Sequence, residues 1–257
     1  EWFSGPVDWV YCPAEFRVAS RRARVAVTSH DVLQGFRFGS ERLCNNTARA
    51  FRRADLVLSV SEFNTAQLLE AVPDCAGKVA YVPNAAEDLF FDPAPAEDRG
   101  RVREDLGLPS GTPYLLSVAN FQPRKNLARL IRAAATLPEV ASGDLALVLL
   151  GSGAPDEEQA LREEIARLGG RARVRLPGYR QGEALRAVYA EATALVFPCL
   201  CESFGIPVVA AMAQDVPVAL ADSTALPEIG GEAGWYFNPE DEGAIAHSLR
   251  ELLEQPE

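Results

Sequence analysis

The sequence predicts an α/β protein made of two units with parallel sheets, the N-terminal one incomplete. Three observations lead there. From residue 113 onward, short apolar runs alternate with single helical stretches, as in strands joined by crossover helices. The same alternation precedes residue 84, but with too few units to close a sheet. Between them, residues 84–112 turn proline-rich and acidic (Asp92-Pro-Ala-Pro-Ala-Glu-Asp98) and lose periodicity, too long a connection for one compact domain. The expected division is 1–92 as the second half of a domain, 93–112 as linker and 113–257 as a complete domain.

In the first half, Trp2 to Cys12 reads as loop and strand, with the strand over Val7 to Cys12. A second strand covers Arg24 to Thr28 and leads into Ser29-His30-Asp31. Arg42 to Arg53 reads as a helix and Leu56 to Val60 as a strand. Ser61 suits the N-cap of a helix to about Ala71, and Val79 to Val82 is a fourth strand. A short polar helix is expected around Arg101 to Leu106. The start at Glu1, without an initiator Met, reads as a chain cut from something longer.

The second half is more regular. Tyr114 to Val118 is a strand, after which Asn126 is expected to cap a helix with Leu127, Leu130, Ile131 and Ala134 on one face. Leu145 to Leu150 is a buried strand ending in Gly151-Ser-Gly153, and Pro155 opens a helix striped by Leu161, Ile165 and Leu168. Arg173 to Leu176 is a strand, and Leu185, Val188 and Tyr189 mark the next helix. Ala194 to Phe197 is a strand, and Pro207 suits the first turn of the helix after it. Val216 to Leu220 and Trp235 to Phe237 are strands, and Ile245, Leu249 and Leu252 stripe the last helix.

Composition narrows the function. An apolar fraction of 48% with 24% charged residues is that of an ordinary globular protein, and a net charge of −11 argues against a nucleic-acid surface. Apolar runs such as Leu145 to Leu150 are far too short to cross a bilayer. Five cysteines without Cys-x-x-Cys spacing, and only His30 and His247 beside them, speak against a zinc site and for a reducing cytoplasm. Asn45-Asn46-Thr47 matches a glycosylation sequon, which is read as chance in such a chain.

Two stretches carry chemistry: Phe121-Gln-Pro-Arg-Lys-Asn126 and Glu202-Ser-Phe-Gly-Ile-Pro207. Each falls where a strand gives way to a helix, on the rim of a parallel sheet where ligands bind. The first offers two cations. The second offers a carboxylate followed by a turn whose backbone N–H groups face the same rim. Cations and a helix start suit phosphate, and a carboxylate suits hydroxyls, a combination found in a nucleotide-linked sugar. Lys occurs only at Lys78 and Lys125, every other basic side chain being Arg, so a point charge at Lys125 stands out. Gly151-Ser-Gly153 lacks a third glycine and reads as a plain turn rather than a dinucleotide loop. On pattern alone His30 is a structural histidine, and Glu228 reads as either a helix-start carboxylate or a sugar contact.

Taken in order, Phe121-Gln-Pro-Arg-Lys-Asn-Leu127, Gly178-Tyr179, Val196-Phe-Pro198, Glu202-Ser-Phe-Gly-Ile-Pro-Val-Val209, Met212-Ala213 and Leu226-Pro-Glu228 resemble the retaining GT-B glycosyltransferases of the family-4 type, also called group 1. Thr28-Ser-His-Asp31, Val60-Ser-Glu-Phe63 and Val82-Pro-Asn84 resemble the second half of the family's acceptor domain. The resemblance implies two facing Rossmann-like domains, with the donor held mainly by the C-terminal one. It implies that Arg124 and Lys125 neutralise the donor diphosphate, and that the turn Ser203, Phe204, Gly205 and Ile206 holds the distal phosphate through backbone N–H groups. Gly178, Tyr179 and Arg180 line the base. Glu202 accepts sugar hydroxyls, and His30 meets the sugar from the other domain. The implied reaction is metal-independent, retaining transfer of a hexose such as mannose from a GDP- or UDP-linked sugar, without a further cofactor, to a saccharide or lipid-linked acceptor. Peripheral membrane contact is expected of the missing N-terminal half.

Three departures from the family pattern bear on this. The motif's second Glu, which usually grips the ribose, is Ala210. The Cys-Gly that commonly follows is Gln214-Asp215. The first half of the acceptor domain, with its Gly-rich loop, has no counterpart. Alongside the enzyme reading stands a non-catalytic module that binds a nucleotide sugar or a partner, which Ala210 favours. A sugar-nucleotide epimerase of the same architecture calls for more carboxylates and histidines than the chain has.

Overall fold

The computed structural model describes residues 7–14, 20, 22–32, 41–170 and 173–254, with residues 41–43 described in backbone only. The expected loop around Trp2 lies outside the described residues. The chain divides into two compact units, Glu1–Asn84 with Cys201–Phe204, and Ala85–Leu200 with Gly205–Glu257.

The first unit holds a four-stranded parallel sheet in sequential order, β1 (Trp9–Cys12), β2 (Arg24–Ser29), β3 (Leu56–Ser59) and β4 (Val79–Tyr81). Helices α1 (Glu41–Arg53) and α2 (Glu62–Ala71) make the crossovers. As the sequence suggests, Ser61 caps α2, its hydroxyl accepting from Asn64 N–H at 2.8 Å. Val25, Val27, Phe51, Val57, Leu68 and Val72 form the core of this unit.

The second unit holds a six-stranded sheet, all of its pairs parallel. Its strands are β5 (Tyr114–Val118), β6 (Ala146–Leu150), β7 (Val174–Gly178), β8 (Ala194–Phe197), β9 (Val218–Ala221) and β10 (Gly234–Phe237). The order is β10-β9-β8-β5-β6-β7. Chain direction across the sheet reverses between β5 and β8, which is the switch point where open α/β sheets bind ligands. β6, β8 and β9 are buried along their whole length, as interior parallel strands must be. The edge strand β7 is half-exposed and carries Pro177, a residue a ladder tolerates only at an edge.

Residues 93–112 differ from the expected linker. Helix α3 runs over Ala96–Asp105, longer than the sequence suggests, and Val102, Leu106 and Leu108 are buried in the second unit's core together with Phe90 and Ala94. The polar face of α3 masks this in sequence, because only one residue of the helix is buried. Two side chains fasten the preceding stretch. Arg186 Nη1 donates to Leu89 O at 3.0 Å, and Gln214 Nε2 donates to Phe90 O and to Asp92 O. Gln214, a departure from the family pattern, thus takes up two backbone carbonyls. The remaining helices are α4 (Leu127–Ala135), α5 (Pro138–Ser142), α6 (Pro155–Arg167), α7 (Gly182–Ala190), α8 (Ile206–Ala213), α9 (Leu226–Gly230) and α10 (Glu242–Glu254). Among the described residues no helix is long and apolar enough to cross a membrane.

Candidate functional site

Both sequence motifs follow the strands that flank the switch point of the second unit's sheet, β5 and β8. After β5 the chain forms a single 3-10 turn, Pro123–Lys125, before entering α4. After β8 it passes through Pro198, Cys199 and Leu200. One backbone bond joins the two stretches: Leu200 N–H donates to Arg124 O at 2.8 Å. The Cys199 thiol donates to the same carbonyl at 3.4 Å.

Asn126 occupies the N-cap position of α4, as expected, but its side chain does not cap the helix. The residue stands in the left-handed region with φ 60° and donates through Nδ2 to Pro198 O at 3.0 Å and Pro239 O at 2.8 Å. The long-range bonds outcompete the local cap that the residue type suggests.

A pocket of about 290 Å³ opens beside this turn. Its wall combines the ends of β5 and β6 (Asn120, Gly151, Ser152) with Lys125, Tyr179, Arg180 and Pro207. Lys125 is only 8% exposed, and its Nζ lies 5.2 Å from the centroid of the Phe197 ring, a cation over an aromatic face. Arg124, on the same turn, donates through Nε to Gln122 Oε1 at 3.0 Å. Tyr179 presents an exposed ring, whereas Arg180 folds back, its Nη1 donating to Pro177 O at 3.0 Å and Tyr179 O at 2.9 Å. Gly178 precedes them with φ 85°. Pro207, in the first turn of α8, closes the wall. The N–H groups of Gly205 and Ile206 stand at the N-terminus of α8, where the first turn of a helix leaves backbone donors of the kind that suit an anion. Gly205 has φ 105°, which a side chain adopts only under strain.

Gly151 and Ser152 line this pocket, although their motif reads as a plain turn. The reason for the glycine is a close approach: at φ 148°, a Cβ on Gly151 would stand 1.9 Å from Ala119 O. Nothing in the local pattern reveals that contact, which forms only once β5 and β6 pair in register through Val118 and Leu150. Asn120 is likewise invisible to a motif search. Ala210 is 2% exposed and packed in the core one turn beyond Pro207.

Of the other residues named from the sequence, His30 and the segment with Glu202 belong to the first unit, and Glu228 to the second. His30 follows β2, with Nε2 2.7 Å from Pro13 O. The segment Cys201–Phe204, carrying Glu202, groups there too, and Ser203 Oγ donates to Asp31 Oδ1 at 2.9 Å. The rim of the first sheet is organised by Asn64, which is 1% exposed. Its Nδ2 donates to Ser29 O, Ser29 Oγ and Ser59 Oγ at 2.9–3.0 Å, and its Oδ1 accepts from Val32 N–H at 3.2 Å. Those bonds bracket His30 and Asp31. Glu228 stands in the first turn of α9.

A family model described as glycosyl transferases group 1 matches residues 98–257. The chain belongs to this family. Among its relatives, the O-antigen chain mannosyltransferase B of Escherichia coli is 28% identical over 256 residues, which cover 95% of this chain and 65% of that protein. A D-inositol 3-phosphate glycosyltransferase of Nocardia farcinica is 33% identical over 209 residues, 78% of this chain and 45% of that one. The chain therefore spans less than two thirds of the length of these relatives. Among solved structures, Anabaena Alr3699/HepE in complex with UDP and glucose superposes with a TM-score of 0.79 at 22% identity, covering 91% of this chain and 63% of that one. WaaG, a glycosyltransferase involved in lipopolysaccharide biosynthesis, gives 0.76 at 20% identity, with 97% and 70% covered. The two parallel sheets are thus those of the GT-B fold, as the motifs implied.

Proposed function

We propose that this chain belongs to a retaining, metal-independent hexosyltransferase, which moves a sugar such as mannose from a GDP- or UDP-linked donor to a saccharide or lipid-linked acceptor in the cytoplasm. The observation that carries the reading is the pocket at the switch point, where a largely buried Lys125 shares one wall with Pro207 at the start of α8. A compact ammonium beside the backbone donors of a helix N-terminus matches a diphosphate. Arg124 adds a second cation on the same turn. Tyr179 offers an aromatic face to a base, with Gly178 and Arg180 shaping the loop beneath it. Glu202 is assigned to the hydroxyls of the donor sugar and His30 to the sugar's reacting end.

In this mechanism the fixed positive charge stabilises the diphosphate as the glycosidic bond breaks, and the departing phosphate oxygen takes the acceptor's proton. No other base is required. The relatives named as mannosyltransferases favour mannose as the sugar.

One observation favours a second reading. Ala210 packs in the core where the family pattern has a carboxylate, so ribose hydroxyls find no charged acceptor there, as in a module that binds without transferring. Calorimetry with GDP and UDP, followed by transfer from GDP-mannose to water or an acceptor, separates the two. Binding with turnover supports the enzyme, binding without turnover supports the module, and absence of binding by both nucleotides refutes the donor pocket.

A further inference from the structure

We infer that Asn126 is a positioning residue: its side-chain amide ties the Lys125 turn to the ends of two other strands and thereby sets where the ammonium stands in the pocket. The ligand in this inference rests on the donor reading above.

Every polar atom of the side chain is committed. Nδ2 donates to Pro198 O, just after β8, and to Pro239 O, just after β10. Oδ1 accepts from Arg129 Nη1 at 2.9 Å, and the same nitrogen donates to Pro239 O at 3.0 Å. The residue is 8% exposed, so these bonds are shielded from water and each is correspondingly stiff. One amide thus fastens loops that follow three strands of one sheet, β5, β8 and β10. The backbone bond from Leu200 N–H to Arg124 O reinforces the β5–β8 link. The adjacent residue is Lys125, whose charge must hold its distance to a phosphate to within a fraction of an ångström.

The left-handed backbone and the amide can be tested apart. Asn126→Gly keeps φ 60° accessible and removes the side-chain bonds. Asn126→Asp keeps the shape but sets a carboxylate oxygen against two carbonyl oxygens.

The experiment combines GDP and UDP calorimetry on both variants, on Lys125→Ala and on Asn126→Gly/Lys125→Ala, with amide hydrogen exchange. The expected result is roughly tenfold weaker nucleotide binding for Asn126→Gly and a larger loss for Asn126→Asp, with little further loss when Lys125 is already Ala. The Leu200 amide exchanges faster in both variants, while β6 amides keep their protection. A residue that only stabilised the fold would instead weaken binding equally in both backgrounds and loosen β6 as well. Unchanged Leu200 exchange, or an Asn126 effect fully additive to Lys125→Ala, overturns the inference. If Asn126→Gly fails to fold, the isosteric Asn126→Asp carries the same comparison. A wild type that binds neither nucleotide refutes the donor reading, and Leu200 exchange alone then decides the clamp.

Discussion

Lys125 Nζ stands 5.2 Å from the centroid of the Phe197 ring, so the cation that follows β5 lies over the last residue of β8. The contact crosses the switch point of the sheet. Phe197 is 1% exposed and fixed by the core, which makes it a rigid floor for a flexible stem. A cation held over an aromatic face sheds part of its water, which suits it to meet a phosphate.

Lys125→Ala should therefore weaken nucleoside diphosphate binding by about 1.5–3 kcal/mol, the range for a hydrogen bond to a charged group. The fold should survive, because Lys125 lines the pocket and its removal enlarges a space that is already open. Calorimetry with a parallel thermal melt checks both halves of the statement; undiminished affinity in a folded variant removes Lys125 from the site.

Much of this site could be read from residue order, and what could not has a common cause. Tyr114–Val118 and Ala194–Phe197 match their expected strands residue for residue, because interior parallel strands are nearly continuous apolar runs, interrupted here by Ser117. Lys125 and Pro207 could be found because strand-to-helix junctions of a parallel sheet share one rim. Asn126, Asn120 and Gly151 were misread or passed over. Each owes its role to partners many residues away: Pro239 for Asn126, the β5–β6 pocket wall for Asn120, and Ala119 O across that strand pair for Gly151. Local pattern carries no trace of such partners. The stretch 93–112 misled for a related reason, since a mostly exposed helix that buries one valine looks like a linker.

Gly151→Ala tests the close approach at the pocket's back wall. The added methyl would have to enter Ala119 O, and φ 148° is itself strained for alanine. We expect a loss of stability of at least about 1–3 kcal/mol, together with weaker nucleotide binding as the β5 loop is pushed toward the pocket. Denaturant unfolding gives the first and calorimetry the second. A variant as stable as the wild type would show that the two loops are not in contact.

Asn64→Leu probes the rim of the first sheet. The substitution removes the amide that holds Ser29 O and Val32 N–H, leaving those buried groups without this partner. The cost should be about 1–3 kcal/mol for each group left unpaired. Because Asn64 lies in the first unit, nucleotide affinity in the second should change little. Chemical denaturation followed by residue-resolved hydrogen exchange distinguishes this from a global loss, with His30 and Asp31 amides losing protection first.

Ala210→Glu asks whether the departure from the family pattern is functional. Ala210 lies one turn beyond Pro207 on α8 and is 2% exposed among core residues. A glutamate there adds four heavy atoms to a packed site, and overpacking costs typically about 1–3 kcal/mol. Pro207, one turn earlier on the same helix, lines the pocket, and a long side chain at 210 that turned that way would approach it. If it takes that route, the carboxylate supplies the charged acceptor that ribose hydroxyls otherwise find nowhere on α8, worth about 1.5–3 kcal/mol in a site shielded from water. We expect tighter binding of UDP and GDP at some cost in melting temperature. Comparing UDP with its 2′-deoxy analogue sharpens the test: the wild type should bind the two about equally, and the variant should prefer the ribonucleotide. A variant that is less stable and gains neither affinity nor that preference would mean that the helix has been repacked around alanine and no longer serves the ribose.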